Sequence, residues 1–167
     1  MGIVEPKPVF SMKLTKKHIL EYLKQHNLMQ VATYGENHPW IASVYYSFDQ
    51  DLNLYFLSSP KTIHCKQIKE NSQVAVAITN SNQSIAGDKK GLQLYGHAEQ
   101  ISDVVKIKHS LHLWKQQLGV TDESLSYENM AKKIISSKMY KITPKKIKFF
   151  NQELFDVPDG EEPILEM

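Results

Sequence analysis

The chain is predicted to fold as an α+β protein built on an antiparallel β-barrel with flanking helices. Short β-rich runs recur between turn signals, consecutive runs sit at hairpin spacing, and amphipathic segments are inserted between and after them. Sequential hairpins favour an antiparallel barrel over a parallel sheet, whose strands would each need a long crossover.

The first dozen residues read as an extended arm, because Pro6 and Pro8 prevent a regular helix. Thr15 is a candidate N-cap for a helix ending near Asn27, with Leu14, Ile19, Leu20 and Leu23 as its apolar stripe. From Leu28 the pattern turns β-rich: LMQVATY, WIASVYYSF and LYFLS, separated by GENHP and DQDLN, predict three antiparallel strands. KTIHCKQIKEN, with Ile63 and Ile68, reads as a short helix, and QVAVAIT and LQLYGHAEQI as strands four and five. Asp103 caps a helix in which Val104, Ile107, Leu111, Trp114 and Leu118 recur at helical spacing before Gly119 stops it. SYENMAKKIISS predicts a further helix, and KMYKIT and KIKFF two strands joined through Pro144. The end of the chain, with Pro158, Gly160 and Pro163, has no periodicity, although Phe155, Ile164 and Leu165 can dock on a neighbour.

At 167 residues, one domain over 1–151 with an acidic tail over 152–167 is the expected organisation. The hydrophobic fraction of 41% and charged fraction of 23% are those of a globular chain, against disorder or a coiled coil. Cys65 is the sole cysteine, which excludes an intrachain disulfide and fits a small buried residue in a reducing compartment. The opening MGIVEPKPVF lacks the charged-then-apolar pattern of a signal peptide, and no apolar run approaches a membrane span, so a cytoplasmic location is expected. Six of the 18 acidic residues lie from Gln152 onward, leaving 12 against 20 lysines in the body, a surplus of eight positive charges. Nucleic acid, a phosphorylated cofactor or the chain's own tail would each satisfy such a body. There is no arginine, so any anion must be held by ammonium groups, histidines, hydroxyls and backbone amides.

The most informative stretch is LYFLSSPKTIHCKQI, where a strand ends in two serines and a proline before a helix. The hydroxyls of Ser58, Ser59 and Thr62 can donate to phosphate oxygens, Lys61 supplies charge, free amides at the helix start add a favourable dipole, and His64 and Lys66 lie close by. The residues alone leave open a plainer alternative, in which Ser59 or Thr62 caps the helix and the lysines are solvated.

Taken together, QVATYGENHPWIASVYYSFD, LSSPKTIHCKQI, KENSQVAVAI, GLQLYGHAEQI and the closing KMYKITPKKIKFFN resemble the flavin-binding split barrels related to pyridoxamine 5'-phosphate oxidase, most closely small bacterial members. The resemblance runs from about Leu28 to Asn151. It implies an FMN-binding split β-barrel, a homodimer whose cofactor sites borrow residues from the partner, and oxidoreductase chemistry on a small molecule. Carried onto this sequence, it makes Ser58, Ser59, Lys61, Thr62 and His64 phosphate-side candidates. Ala42, Ser43 and Val44 become candidates for backbone contact with the flavin ring, and Gln93 a candidate to reach the flavin with its amide; the plain reading of Gln93 is an outward-facing strand residue. His64 stands where relatives more often carry lysine or arginine, a weaker cation near neutrality. The oxidases proper resemble one another in an arginine-bearing C-terminal segment that this chain replaces with acidic residues, so oxidation of the vitamin itself is not expected. No catalytic residue is nominated, because a flavin carries the redox chemistry itself.

Other features are weaker. His109 and His112 have the spacing of a metal pair but no third ligand, so no metal site is expected. Some split-barrel relatives bind haem, which makes His64 or His97 alternative axial ligands and a non-catalytic haem module an alternative function. Tyr45 and Tyr46 can line a ring pocket, with core or interface as the plainer reading. A basic barrel with strand tyrosines also makes a module for single-stranded nucleic acid the main rival function, against which the lysines are scattered and no aromatic-basic motif is present, so no nucleic-acid partner is expected.

Overall fold

The computed structural model describes residues 12–158 and 160–167, so the predicted N-terminal arm lies, apart from Met12, outside the described residues. Helix α1 (Lys16–Lys24) buries Ile19, Tyr22 and Leu23 on one face, and the Thr15 backbone N–H donates to His18 Nδ1 at 3.2 Å at its start. Two phenols fix it to the barrel: Tyr22 donates to the Ile78 carbonyl at 3.1 Å, and Tyr46 donates to the Leu23 carbonyl at 2.9 Å. Burial pushes the Tyr22 phenol up to about 12, so it stays a protonated donor at neutral pH.

Strands β1 (Leu28–Gly35) and β2 (His38–Phe48) pair from Leu28–Tyr45 to Gly35–His38. The two-residue turn between them holds Glu36 and Asn37 at φ of 50° and 62°, the left-handed pair that matches a hairpin's twist. β3 (Leu54–Ser58), α2 (Ile63–Glu70), β4 (Gln73–Thr79), β5 (Lys90–Gln100), α3 (Val104–Leu118), α4 (Tyr127–Ala131), β6 (Lys138–Asn151) and β7 (Ile164–Glu166) follow. The antiparallel sheet runs β3-β2-β1-β4-β5-β6-β7, and pairing of β3 with β6 closes it into a barrel.

Inside the barrel, Met29, Val31, Ile78, Leu92, Ile142 and Phe149 belong to one buried cluster. A second cluster under α3 holds Tyr55, Ile101, Leu111, Met130 and Met139. α3 is capped by the Asp103 side chain, which accepts from the Lys106 N–H at 2.8 Å, and is stopped by Gly119 at φ 67°. Gln117 clips α3 to the edge of β2, accepting from the Phe48 N–H at 3.0 Å and donating to its carbonyl at 2.8 Å.

Two elements differ from expectation. The helix predicted over SYENMAKKIISS stops after five residues, and Lys133 shortly beyond adopts a left-handed φ of 59°. The two strands predicted on either side of Pro144 are one 14-residue strand, β6. Proline is tolerated there because it sits opposite Gly96, where a bulge shifts the β5–β6 register.

The acidic tail docks on its own barrel. One flank of β6 pairs with β3 over Lys138–Ile142 and then with β7 over Lys146–Lys148. Glu166 and Glu162 pair with Lys146 and Lys148, each at 3.1 Å, and Glu153 pairs with Lys90. Phe155 is buried edge-on against Phe149 and His18.

Candidate functional site

β2 extends well past the end of β3. Its ladder to β3 covers only Tyr46–Phe48, so the His38–Tyr45 stretch is bonded to β1 on one side and has no strand on the other. Such an unpaired flank presents backbone N–H and C=O groups for an incoming partner. α2 spans this opening. Its start follows Ser58, whose place in the register continues toward Val44, and its middle reaches the β1–β2 turn through Gln67. That glutamine is almost fully buried: its amide donates to the Gly35 and His38 carbonyls at 3.1 and 3.2 Å, and its oxygen accepts from Thr33 at 2.6 Å.

The residues predicted at the strand-to-helix junction come together at one end of the opening. Lys61 is exposed and Ser59 half-buried, with the Lys61 N–H donating to Ser59 Oγ at 3.3 Å. Thr62 caps α2 by accepting from the Cys65 N–H, while its own hydroxyl donates to the Ser59 carbonyl at 2.8 Å. The plain capping role is therefore present, and it leaves other polar groups of the junction unused. Among the described residues, the Ile63 and His64 amides at the helix start have no acceptor, which makes them available to an anion.

His64 does not reach outward beside Lys61. It is buried, with Nε2 2.8 Å from Ser58 Oγ and 3.3 Å from Thr62 Oγ1. Cys65 is buried at 3% exposure beside it, and Tyr140 stacks on Phe56 at 5.1 Å behind the group. Burial first, and Cys65 second, push the Tyr140 phenol up and keep it protonated.

Along the free flank of β2, Ala42 and Val44 stand opposite Val31 and Met29 on the barrel-interior face, and Ser43 stands opposite Gln30 on the outer face. Gln93 projects from the outer face of β5, opposite Ala77. It lies three strands from β2, about 14 Å at ordinary strand spacing, so one chain does not bring it to the Ala42–Val44 flank. Tyr46 is a core residue, whereas Tyr45 is exposed. His109 and His112 line separate surface clefts, and the described residues contain no group of three metal-ligating side chains. His97 is half-buried, with Nδ1 3.1 Å from Ser72 Oγ. A cleft of about 630 Å3 between α3 and the loop after it is lined by none of the junction residues. Gln67 and Thr33, which anchor the middle of α2, were not singled out in the sequence; a glutamine one residue before Ile68 on the inward face of a short helix is the signal that marks Gln67.

This closed antiparallel sheet with its flanking helices defines an α+β split-barrel protein. The pyridoxamine 5'-phosphate oxidase family model matches residues 15–151, and the chain belongs to that family. It is 31% identical over 119 residues to the UPF0306 protein PM1958 of Pasteurella multocida, covering 66% of this chain and 79% of that one. Among solved structures it resembles a haem-binding protein of Mycobacterium smegmatis at TM-score 0.69 and 14% identity, over 98% of this chain and 60% of that one. It also resembles an FAD-binding protein of Mesorhizobium loti at TM-score 0.60 and 16% identity, over 80% and 90% of the two chains. No helix among the described residues is long and apolar enough to cross a membrane.

Proposed function

We propose that this chain binds FMN and acts as an oxidoreductase on a small molecule, working as a homodimer. The observation that carries the reading is the pairing of an unpartnered strand flank with a polar junction at one end of it. A flavin nucleotide has that same division, a planar ring with hydrogen-bonding edges and a dianionic end. Ser58, Ser59, Lys61, Thr62 and the two free amides of α2 fit the anionic end. Of Ala42, Ser43 and Val44, Ser43 turns its backbone N–H and C=O to the free flank and fits the ring edge, while Ala42 and Val44 bond to β1 and flank it. When bound, FMN supplies the hydride and electron transfer; the chain's residues bind, orient and shield it.

The dimer reading rests on the outer face of β1, β2 and β5. Ile41, Tyr45 and Tyr34 are 64%, 57% and 51% exposed there, and Tyr95 extends the same apolar face. Large apolar side chains gathered on one sheet face mark an association surface. A second copy packed on it would also bring another Gln93 near the open flank. The lone buried Cys65 suits a reducing compartment such as the cytoplasm.

The absorption spectrum of the purified protein, with mass spectrometry of the acid-released chromophore, tests the reading. A flavin spectrum and the mass of FMN are expected; a chain that stays colourless after incubation with excess FMN rejects it. The likeness to a haem-binding protein supports a second reading, for which a Soret band would take the flavin's place.

A further inference from the structure

We infer that His64 is a positioning residue, held as the Nε2–H tautomer so that it turns the Ser58 hydroxyl into a phosphate donor; the inference rests on the FMN reading above. Thr62 has one hydroxyl proton, and it is committed to the Ser59 carbonyl at 2.8 Å. Its oxygen also accepts from the Cys65 N–H. Toward His64 Nε2, 3.3 Å away, Thr62 Oγ1 therefore offers only a lone pair. Were Nε2 bare, two lone pairs would face each other in a buried site; with a proton on Nε2 the contact becomes favourable.

That proton is shared with Ser58 Oγ at 2.8 Å, the shorter contact, so Ser58 accepts from the imidazole. The Ser58 hydroxyl proton is thereby released from His64. Among the described residues, Ser58 Oγ has no hydrogen-bond partner besides His64 to take that proton. A phosphate oxygen at the mouth of the junction is a strong acceptor. With the opposite tautomer, Ser58 would spend its proton on the imidazole and meet a phosphate with lone pairs. His64 thus contributes to nucleotide affinity from beneath the site, without touching the ligand. This also accounts for a buried histidine at a position expected to carry an outward cation.

The test compares dissociation constants for FMN and riboflavin in the full-length protein and in His64→Leu, His64→Gln, Ser58→Ala and the Ser58→Ala/His64→Leu double variant. His64→Leu should lose about tenfold in FMN affinity, the usual worth of one hydrogen bond to a charged group, with riboflavin unchanged. His64→Gln, which keeps an N–H at the same reach, should restore it. The double variant should be no weaker than Ser58→Ala, because His64 acts through Ser58. An unchanged FMN-to-riboflavin ratio in His64→Leu, or additive losses in the double variant, overturns the inference while leaving the FMN reading intact. Equal affinity of the wild type for FMN and riboflavin overturns both. Nitrogen NMR of the imidazole in the unsubstituted protein reads the tautomer without any folding risk: a proton on Nε2 is expected, and one on Nδ1 alone defeats the proposal.

Discussion

Gln67 donates its side-chain amide to the Gly35 carbonyl at 3.1 Å, tying the middle of α2 to the turn between β1 and β2. Because α2 also begins at the junction after β3, this bond fixes both ends of the opening along β2 relative to each other. Replacing Gln67 with leucine would strand the buried Thr33 hydroxyl and remove two bonds to the Gly35 and His38 carbonyls, which keep their hairpin partners. A loss of about 3 kcal/mol is expected, measured by urea unfolding; a loss near zero would mean that these groups find other partners.

Gly96 sits where a side chain has no room. A Cβ there would collide with the Thr143 carbonyl oxygen and come within 2.9 Å of Pro144 Cα. Backbone cannot move aside as a flexible side chain can, so Gly96→Ala should cost about 3 kcal/mol and lower the melting temperature by roughly 10 °C. Wild-type thermal stability in that variant would contradict the bulge.

Lys61 should discriminate between nucleotide and nucleoside. Lys61→Ala is expected to weaken FMN binding by about tenfold and leave riboflavin unaffected, since only the former bears the phosphate. Equal losses, read by fluorescence titration, would remove Lys61 from that role.

Ile41 tests the association surface. Ile41→Asp introduces a charge at the most exposed apolar position of the β1–β2 face and should leave the fold intact. Sedimentation should then report a monomer, because burying an unpaired carboxylate between two sheets is costly; an undisturbed dimer would locate the interface elsewhere.

The tail should respond to acid. Its own backbone hydrogen bonds first, then Lys148, hold the Glu162 carboxyl below the usual glutamate range. A depressed folded value means stabilisation that is full above the unfolded value and disappears as pH falls through the folded one. The amide resonances of Phe149, bonded to the Pro163 carbonyl, and Met167, bonded to the Lys145 carbonyl, should therefore shift on acidification with a midpoint below that range. A midpoint at or above it would break the link to Glu162.

The strands and most helices were legible because their signals are local. Alternation marked β1 and β4, Asp103 and Gly119 bracketed α3, and Gly-Glu-Asn-His marked the first hairpin. What could not be read was decided by distant contacts. Pro144 looks like a break until Gly96 on β5 offers it a bulge. The tail lacks periodicity because a three-residue strand leaves none, and its place is set by lysines on β6 and β5. At the junction, Ser58, Ser59, Lys61 and Thr62 were grouped from type and spacing, whereas the inward turn of His64 depends on Ser58 at the end of another element.

The hand-over along β6 from β3 to β7 decides where main chain is left open on the barrel wall. With that flank occupied in both halves, the His38–Tyr45 side of β2 is the longest span of main chain lacking a strand neighbour among the described residues. A guest that bonds to main chain would therefore meet its longest vacancy there, at the alternate residues Ile41 and Ser43.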